Sequence, residues 1–196
     1  MRKTAPALIL LTATFVSHGC QPSSSRETPL ERARRLVVDL QDSNPDKSGK
    51  AGLELIRMGE PAVPALVELL QNPDSHRRGL ALSTLWALGP KARAAVPGVA
   101  QELGDDDPSL RESAARTLES IGPGAAEAVP ELIKALDDTS RPVRQAAVKA
   151  LGAIGPAASA AVPVLTQTLR RGGSWPEAEE ALLKIQGRAP KGAPSS

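Results

Sequence analysis

Apolar residues recur at fixed distances after four regularly spaced prolines. Two and six residues after each proline the side chain is apolar, and the pairs are Leu66 and Leu70, Val99 and Leu103, Leu132 and Leu136, and Leu165 and Leu169. A separation of four residues places both members of a pair on one face of an α-helix. A second apolar series follows, namely Ala81, Leu85 and Leu88, then Ala114, Leu118 and Ile121, then Ala147, Leu151 and Ile154. The pattern therefore predicts two amphipathic helices in each unit.

The prolines belong to an Ala-Val-Pro tripeptide that occurs four times at intervals of 33 residues, ending at Pro64, Pro97, Pro130 and Pro163. Proline is tolerated near a helix start because an early N–H has no acceptor inside the helix. Turn signals such as Asn72–Pro73 precede the second helices and place His76 in a turn. Glycines 89, 122, 155 and 187 are predicted to end these helices in the left-handed conformation. Such a period is typical of stacked helical units.

This periodicity divides the chain into repeats. We predict four of them, at residues 59–88, 89–121, 122–154 and 155–187, with a disordered tail at 188–196. Residues 29–58 carry a degenerate version of the pattern and are predicted to form an N-terminal capping repeat, because one face of a terminal unit meets water. Within that repeat we expect a helix over 30–41, a turn region over 42–50 and a further apolar-periodic segment over 51–58.

The first 19 residues have the composition of a secretory signal peptide. Arg2 and Lys3 precede an apolar stretch over residues 5–16, which is short for a membrane span. The leader ends before Cys20, the only cysteine of the chain. Residues 20–28 are polar and are predicted to form a flexible tether.

Gly19 and Cys20 resemble a bacterial lipobox, although Ser17 stands where leucine is usual. The resemblance implies that Cys20 is lipidated and that the protein is an extracytoplasmic lipoprotein anchored to the inner or the outer membrane. Two alternatives remain open. Ordinary signal peptidase would release a soluble periplasmic or secreted protein, and an uncleaved leader would be a retained anchor.

Charge and composition argue against several functions. The 196 residues include 24 Lys and Arg and 22 Asp and Glu, and the leader holds two of the cations, so the rest is formally neutral. A neutral domain has no overall field to attract nucleic acid. The histidines are His18, in the leader, and His76. The mature domain therefore lacks a Cys-His pair and a supply of zinc ligands, and we expect neither catalytic residues nor a cofactor or metal.

Polar residues also recur at fixed positions of the units. The acid or amide positions are Asn72, Asp105 and Asp138, and the arginines six residues later are Arg78, Arg111 and Arg144. Together with the alanine pairs and the closing Leu-x-x-Ile-Gly of residues 118–122 and 151–155, they resemble the HEAT-repeat signature over residues 59–187. The chain is similar to short HEAT repeats of the phycobilisome lyase-like type. This resemblance implies an all-α fold, a right-handed α-solenoid of about five helical hairpins.

The acid and arginine columns allow two interpretations. They could line a charged groove with acid–base chemistry, or they could link neighbouring repeats. Identical positions lie side by side in a stack, so we favour a structural ladder of carboxylates and guanidinium groups formed by Asp105, Arg111, Asp138 and Arg144.

A variable stripe marks the candidate partner-binding surface. It lies 15, 19 and 22 residues after each proline and comprises Gly79, Ser83, Trp86, Glu112, Arg116, Glu119, Gln145, Lys149 and Gly152. The family resemblance implies that second helices line the concave face, where partners bind. The candidate contacts are Trp86, Glu112, Arg116, Glu119, Gln145 and Lys149. Trp86 could anchor a partner or be covered by a helix from residues 30–58. Trp175 is expected to close the C-terminal end.

These features favour a monomeric, non-catalytic scaffold or adaptor, lipid-anchored through Cys20, that binds a protein partner and no nucleic acid. The alternative rests on family resemblance alone. It is a lyase-like protein or chaperone that handles a tetrapyrrole or another small molecule.

Overall fold

The computed structural model describes residues 27–172 and 175–188, and these residues form ten α-helices joined by turns and 3-10 segments, without a strand. The helices are α1 (Pro29–Leu40), α2 (Pro45–Met58), α3 (Val63–Leu70), α4 (Ser75–Leu88), α5 (Val96–Glu102), α6 (Pro108–Ile121), α7 (Val129–Ala135), α8 (Arg141–Ile154), α9 (Val162–Gly172) and α10 (Pro176–Ile185). They pair in chain order as five hairpins. The predicted all-α solenoid is confirmed.

One apolar core runs through the stack. The second helices pack in sequence, α4 on α6, α6 on α8 and α8 on α10. Their predicted apolar residues are all buried, and so are the first-helix pairs except Leu169, which is half-buried. Small residues such as Ala114 and Ala147 let neighbouring helices approach closely. Trp175 packs half-buried against the core just before α10.

The connection between hairpins contains a feature that the sequence analysis missed. Residues Gly89–Ala95, Gly122–Ala128 and Gly155–Ala161 are 3-10 helices that bury alanines against the core, and the shorter Glu60–Ala62 takes this place before α3. The glycines that begin these segments have the expected positive φ, but their ψ differs from that of a left-handed helix; Gly122, for example, has φ 68° and ψ −134°. At Gly89, Gly122 and Gly155 the prediction of a left-handed helical conformation was wrong, because this ψ turns the chain directly into the 3-10 segment.

The N-terminal hairpin also differs from expectation. Helix α2 begins at Pro45, so the predicted turn over 42–50 was too long. The Asn44 side chain accepts a hydrogen bond from the Asp46 N–H and proline occupies the first helical position. The predicted tether extends too far as well. Thr28 forms a capping box with Glu31, and Glu27 is paired with Arg35 at 2.9 Å.

Cys20, the leader, most of the tether and the tail from residue 189 onward lie outside the described residues. Within the described part, the stretch Arg141–Arg170 is long and apolar enough to cross a membrane by length and composition. Half of its most apolar window is buried in the solenoid, where it forms α8, a 3-10 segment and α9.

Candidate functional site

The second helices α4, α6 and α8 form one wall of the solenoid. Thr117, fully buried on α6, donates its hydroxyl to the Ser113 carbonyl at 2.8 Å and lies 3.2 Å from the Leu82 carbonyl of α4. This contact satisfies a polar group at the α4–α6 interface, where an unpaired hydroxyl would be costly. Helix α6 packs against both α4 and α8, and this packing brings the outward-facing side chains of the three helices side by side.

An open cavity of about 630 Å³ lies on that wall, and we call it the groove. All six candidate partner-binding residues line it, namely Trp86, Glu112, Arg116, Glu119, Gln145 and Lys149. The structure therefore brings the predicted stripe together across three hairpins. The remaining lining residues are Ser120, Pro142, Ala146 and Ala153. Ser120, Ala146 and Ala153 are each the residue next to a stripe position, which the sequence could have indicated, and Pro142 comes from the first turn of α8.

Trp86 is exposed. Its relative accessibility is 51%, so the hairpin of residues 29–58 does not cover the indole. A second cavity of about 220 Å³ lies between α4 and α6 and is lined by Leu82, Ser83, Trp86, Ser113, Arg116 and Thr117. Trp86 therefore stands between this cavity and the groove. A large aromatic ring in that position offers apolar area at a small entropic cost.

The charged residues of the groove carry both signs. Glu112 and Arg116 face each other one helical turn apart, with their closest N and O atoms 3.8 Å apart. Glu119 and Lys149 line both the groove and an adjoining cavity of about 200 Å³ that reaches α10. On α10 the Lys184 ammonium lies 2.7 Å from Glu180, and this hydrogen bond lowers the pKa of that carboxyl. The polar surface thus continues to the C-terminal end.

The ladder residues lie away from the groove, near the turns between paired helices. Arg111 of one hairpin donates from Nε and Nη2 to the two oxygens of Asp138 in the next, at 2.7 and 2.9 Å. Its Nη1 donates to the Asp105 and Asp106 carbonyls of its own turn. Arg111 and Asp138 are about nine-tenths buried. This bidentate bond lowers the pKa of Asp138.

The equivalent contact between the second and third hairpins contains a second carboxylate, Glu102. Arg78 donates to Asp105 at 2.5 Å and from Nε to Glu102 at 3.0 Å. Burial raises the pKa of Glu102 despite the arginine. Sequence reasoning missed Glu102, yet it is charged in a column otherwise occupied by Leu69, Ala135 and Thr168. That mismatch was the available signal.

Arg144 ends the series. Its Nη1 donates to the Asp138 and Thr139 carbonyls, as Arg111 does in its own turn. Among the described residues it makes no ion pair, and the corresponding acid position of the last hairpin is occupied by Arg171.

His76, expected in a turn, lies in the first turn of α4, where its backbone N–H donates to the capping Asp74. Within residues 27–172 and 175–188, no three His, Cys, Asp or Glu side chains form a metal-ligand cluster.

With this geometry in place, comparison with known proteins is informative about the fold. Residues 96–184 match the family model for HEAT repeats. They include most of the groove and the Arg111–Asp138 pair. None of the curated protein sequences matches this chain.

Several solved structures share the architecture. An engineered protein is 25% identical over 79% of both chains, with a TM-score of 0.59. A designed armadillo repeat protein in complex with the peptide (KR)4 is 18% identical, with a TM-score of 0.60, over 78% of this chain and 81% of that one. The complex of CpcE and CpcF of phycocyanin lyase from Nostoc sp. PCC7120 is 22% identical, with a TM-score of 0.59, over 78% of this chain and 96% of that one. The last two likenesses show the fold alone. This HEAT-like fold is a scaffold of stacked hairpins.

Proposed function

We propose that this protein is a non-catalytic, protein-binding adaptor that holds a segment of a partner in the groove. The observation that carries the proposal is the convergence of all six candidate partner-binding residues, including the half-exposed Trp86, on one open cavity. Elongated repeat proteins commonly bind partners on the continuous surface that their second helices create. The peptide bound to the designed armadillo protein is compatible with such a role.

The groove has the two components of a recognition surface. Trp86 supplies apolar area of the type that dominates binding energy at interfaces. Around it, Glu112, Arg116, Glu119 and Lys149 supply charges that select a partner by complementarity. The ladder supports the surface by joining α4 and α6 to the neighbouring hairpins. The likeness to the lyase complex concerns the fold and adds no argument for chromophore chemistry.

The proposal includes an extracytoplasmic location and an anchor at Cys20. It is supported by the leader composition and the lipobox-like Gly19–Cys20, with residues 21–26 as a polar spacer before the capped start of α1. Attachment to a membrane would raise the local concentration of the adaptor near a membrane-bound partner.

Site-specific photo-crosslinking tests the groove. A benzophenone amino acid replaces Gln145 in the groove or, as the control, Glu131 of α7, which is partly exposed like Gln145 but lies outside the groove. Envelope fractions of the source organism are then irradiated with each protein. We expect a discrete adduct from position 145 that Trp86→Ala weakens and that position 131 does not form. Equal adducts from both positions, or an adduct insensitive to both Trp86→Ala and Glu119→Lys, would refute the proposed site.

The anchor has a separate test. Mass spectrometry of the purified protein is expected to show a diacylglyceryl mass shift on Cys20, and Cys20→Ser is expected to move the protein from the membrane to the soluble fraction. An unmodified Cys20 together with processing that is insensitive to globomycin would refute the anchor and leave the groove proposal standing.

A further inference from the structure

The described residues expose three large apolar side chains, Val38, Leu53 and Trp86. Trp86 lies on α4 in the wall of second helices, and Leu53 lies on α2, the second helix of the first hairpin. Helices α2 and α4 both have 14 residues and both end at a glycine with positive φ, Gly59 and Gly89. Counting back from these glycines, Leu53 corresponds to Ser83 and Ile56 corresponds to Trp86.

The stripe therefore extends onto the first hairpin. Helix α2 packs against α4, and it contributes Gly49, Leu53 and Ile56 at the positions where α4 has Gly79, Ser83 and Trp86. Leu53 is 58% exposed and Ile56 is half-buried. These six positions contain no charged side chain.

The same positions on the next two hairpins are mostly charged. They are Glu112, Arg116 and Glu119 on α6 and Gln145, Lys149 and Gly152 on α8. Along its length, the wall thus changes from an apolar half on α2 and α4 to a charged half on α6 and α8. Within the described part of the chain, Glu119 and Lys149 have no ion-pair partner, although both line the groove. Lys149 also acts on Glu180 of α10 through space and lowers the pKa of that carboxyl, but Glu180 is hydrogen-bonded to Lys184, so the ammonium of Lys149 stays available to a ligand.

We infer that the groove, together with the exposed face of the adjoining helix α2, binds an extended segment of a partner protein with apolar residues at one end, followed by a basic residue and then an acidic residue. The inference rests on the proposed function and adds the chemistry of the partner. The apolar residues would cover Leu53 and Trp86, which removes exposed apolar area from water. The basic residue would face Glu119 and the acidic residue would face Lys149.

Helix spacing sets the spacing of these residues. Packed helices lie about 8–10 Å apart. An extended chain advances about 3.3 Å per residue. Roughly every third residue of the bound segment therefore faces the next second helix along the solenoid. The expected pattern is apolar-x-x-apolar-x-x-basic-x-x-acidic, read from α2 to α8.

Peptide binding to the full chain, purified in detergent, tests this inference. The probes are fluorescein-labelled ten-residue peptides with Leu, Phe, Arg and Glu at positions 1, 4, 7 and 10 and Gly or Ser elsewhere. The same residues in reverse order test the opposite chain direction, and a third peptide exchanges Arg and Glu. We expect one direction to bind in fluorescence anisotropy and Trp86→Ala to weaken it by about tenfold or more. Val38→Ser is the control, because Val38 is an exposed apolar residue, 68% accessible, but lies on α1.

The decisive variant exchanges the two groove charges, Glu119→Lys with Lys149→Glu. We expect it to prefer the charge-exchanged peptide by about tenfold and to lose affinity for the original. Equal affinity of wild type for both peptides, an unchanged preference in the exchanged variant, or no binding of either direction would overturn the inference. If the peptides fail while position 145 still crosslinks a partner, only the assigned chemistry is wrong. If position 145 crosslinks nothing, the proposed function fails with it.

Discussion

Replacing Arg111 by methionine tests whether the ladder holds neighbouring hairpins together. The change removes a bidentate bond to Asp138, at 2.7 and 2.9 Å, and two bonds to carbonyls of its own turn. Asp138 would keep the Ser140 N–H as a donor at 2.7 Å. Methionine retains most of the apolar stem, so the loss of packing is small.

The equivalent residue Arg144 provides a matched control. It also donates Nη1 to two carbonyls of its own turn, but within the described part of the chain it forms no ion pair, and its charge lowers the pKa of Asp138 only through space. Arg144→Met therefore removes the carbonyl bonds alone and is expected to cost about 1 kcal/mol. Removing one partner of a buried ion pair costs about 3–5 kcal/mol. Because Arg111 and Asp138 retain some solvent contact, we expect about 3 kcal/mol for Arg111→Met.

Urea unfolding followed by circular dichroism measures both values. A loss of 3 kcal/mol corresponds to a decrease in Tm of roughly 6–12 °C for a chain of this size. Asp138→Asn in the Arg111→Met background completes a double-mutant cycle, and the coupling energy is expected to be about 1.5–3 kcal/mol. The reasoning is refuted if Arg111→Met costs no more than Arg144→Met, or if the two changes are additive.

Three further predictions concern pH and packing. The folded-state pKa of Asp138 is lowered, so the ionised carboxylate stabilises the fold above the unfolded pKa, and this stabilisation is lost as pH falls through the folded-state pKa. The urea midpoint should therefore decrease in acid, and Asp138→Asn should weaken this pH dependence. The folded-state pKa of Glu102 is raised, so its contribution is lost as pH rises through that value. Glu102→Gln should therefore become more favourable to stability as pH rises above the ordinary glutamate pKa of about 4, and a difference that does not change with pH would contradict this. Gly152→Ala would bring a Cβ to 3.1 Å from the Ala181 backbone and should cost about 1–3 kcal/mol. A Cβ added in Gly49→Ala, by contrast, would have nothing within 4 Å, and the free energy of unfolding should increase by about 0.5–1 kcal/mol. Thermal denaturation would detect this difference between the two variants.

The local sequence was sufficient for the helical repeat but not for its connections. Pairs such as Leu132 and Leu136 identify a helix because their spacing matches the helical period, and both are buried. The 3-10 segments escaped notice because short Ala- and Gly-rich stretches have no distinguishing periodicity. They form because the buried alanines pack against neighbouring hairpins.

The candidate site shows the same division. The stripe could be predicted from the sequence because equivalent positions in stacked repeats lie side by side. Sequence reasoning left Trp86 undecided between an exposed anchor and a covered residue, since that depends on where α2 packs. It also missed Glu102, because its partner Arg78 is contributed by the preceding hairpin.

By itself, the sequence determined the all-α repeat, its period, the core columns and the register of the polar positions. These properties depend on residue spacing along one helix, which is encoded locally. Only the tertiary structure decided that Trp86 is exposed, that six side chains of three hairpins share a groove, and that Arg78 also pairs with Glu102 of the next hairpin. Each of these depends on distances between hairpins, and those distances are set by the packing of whole helices.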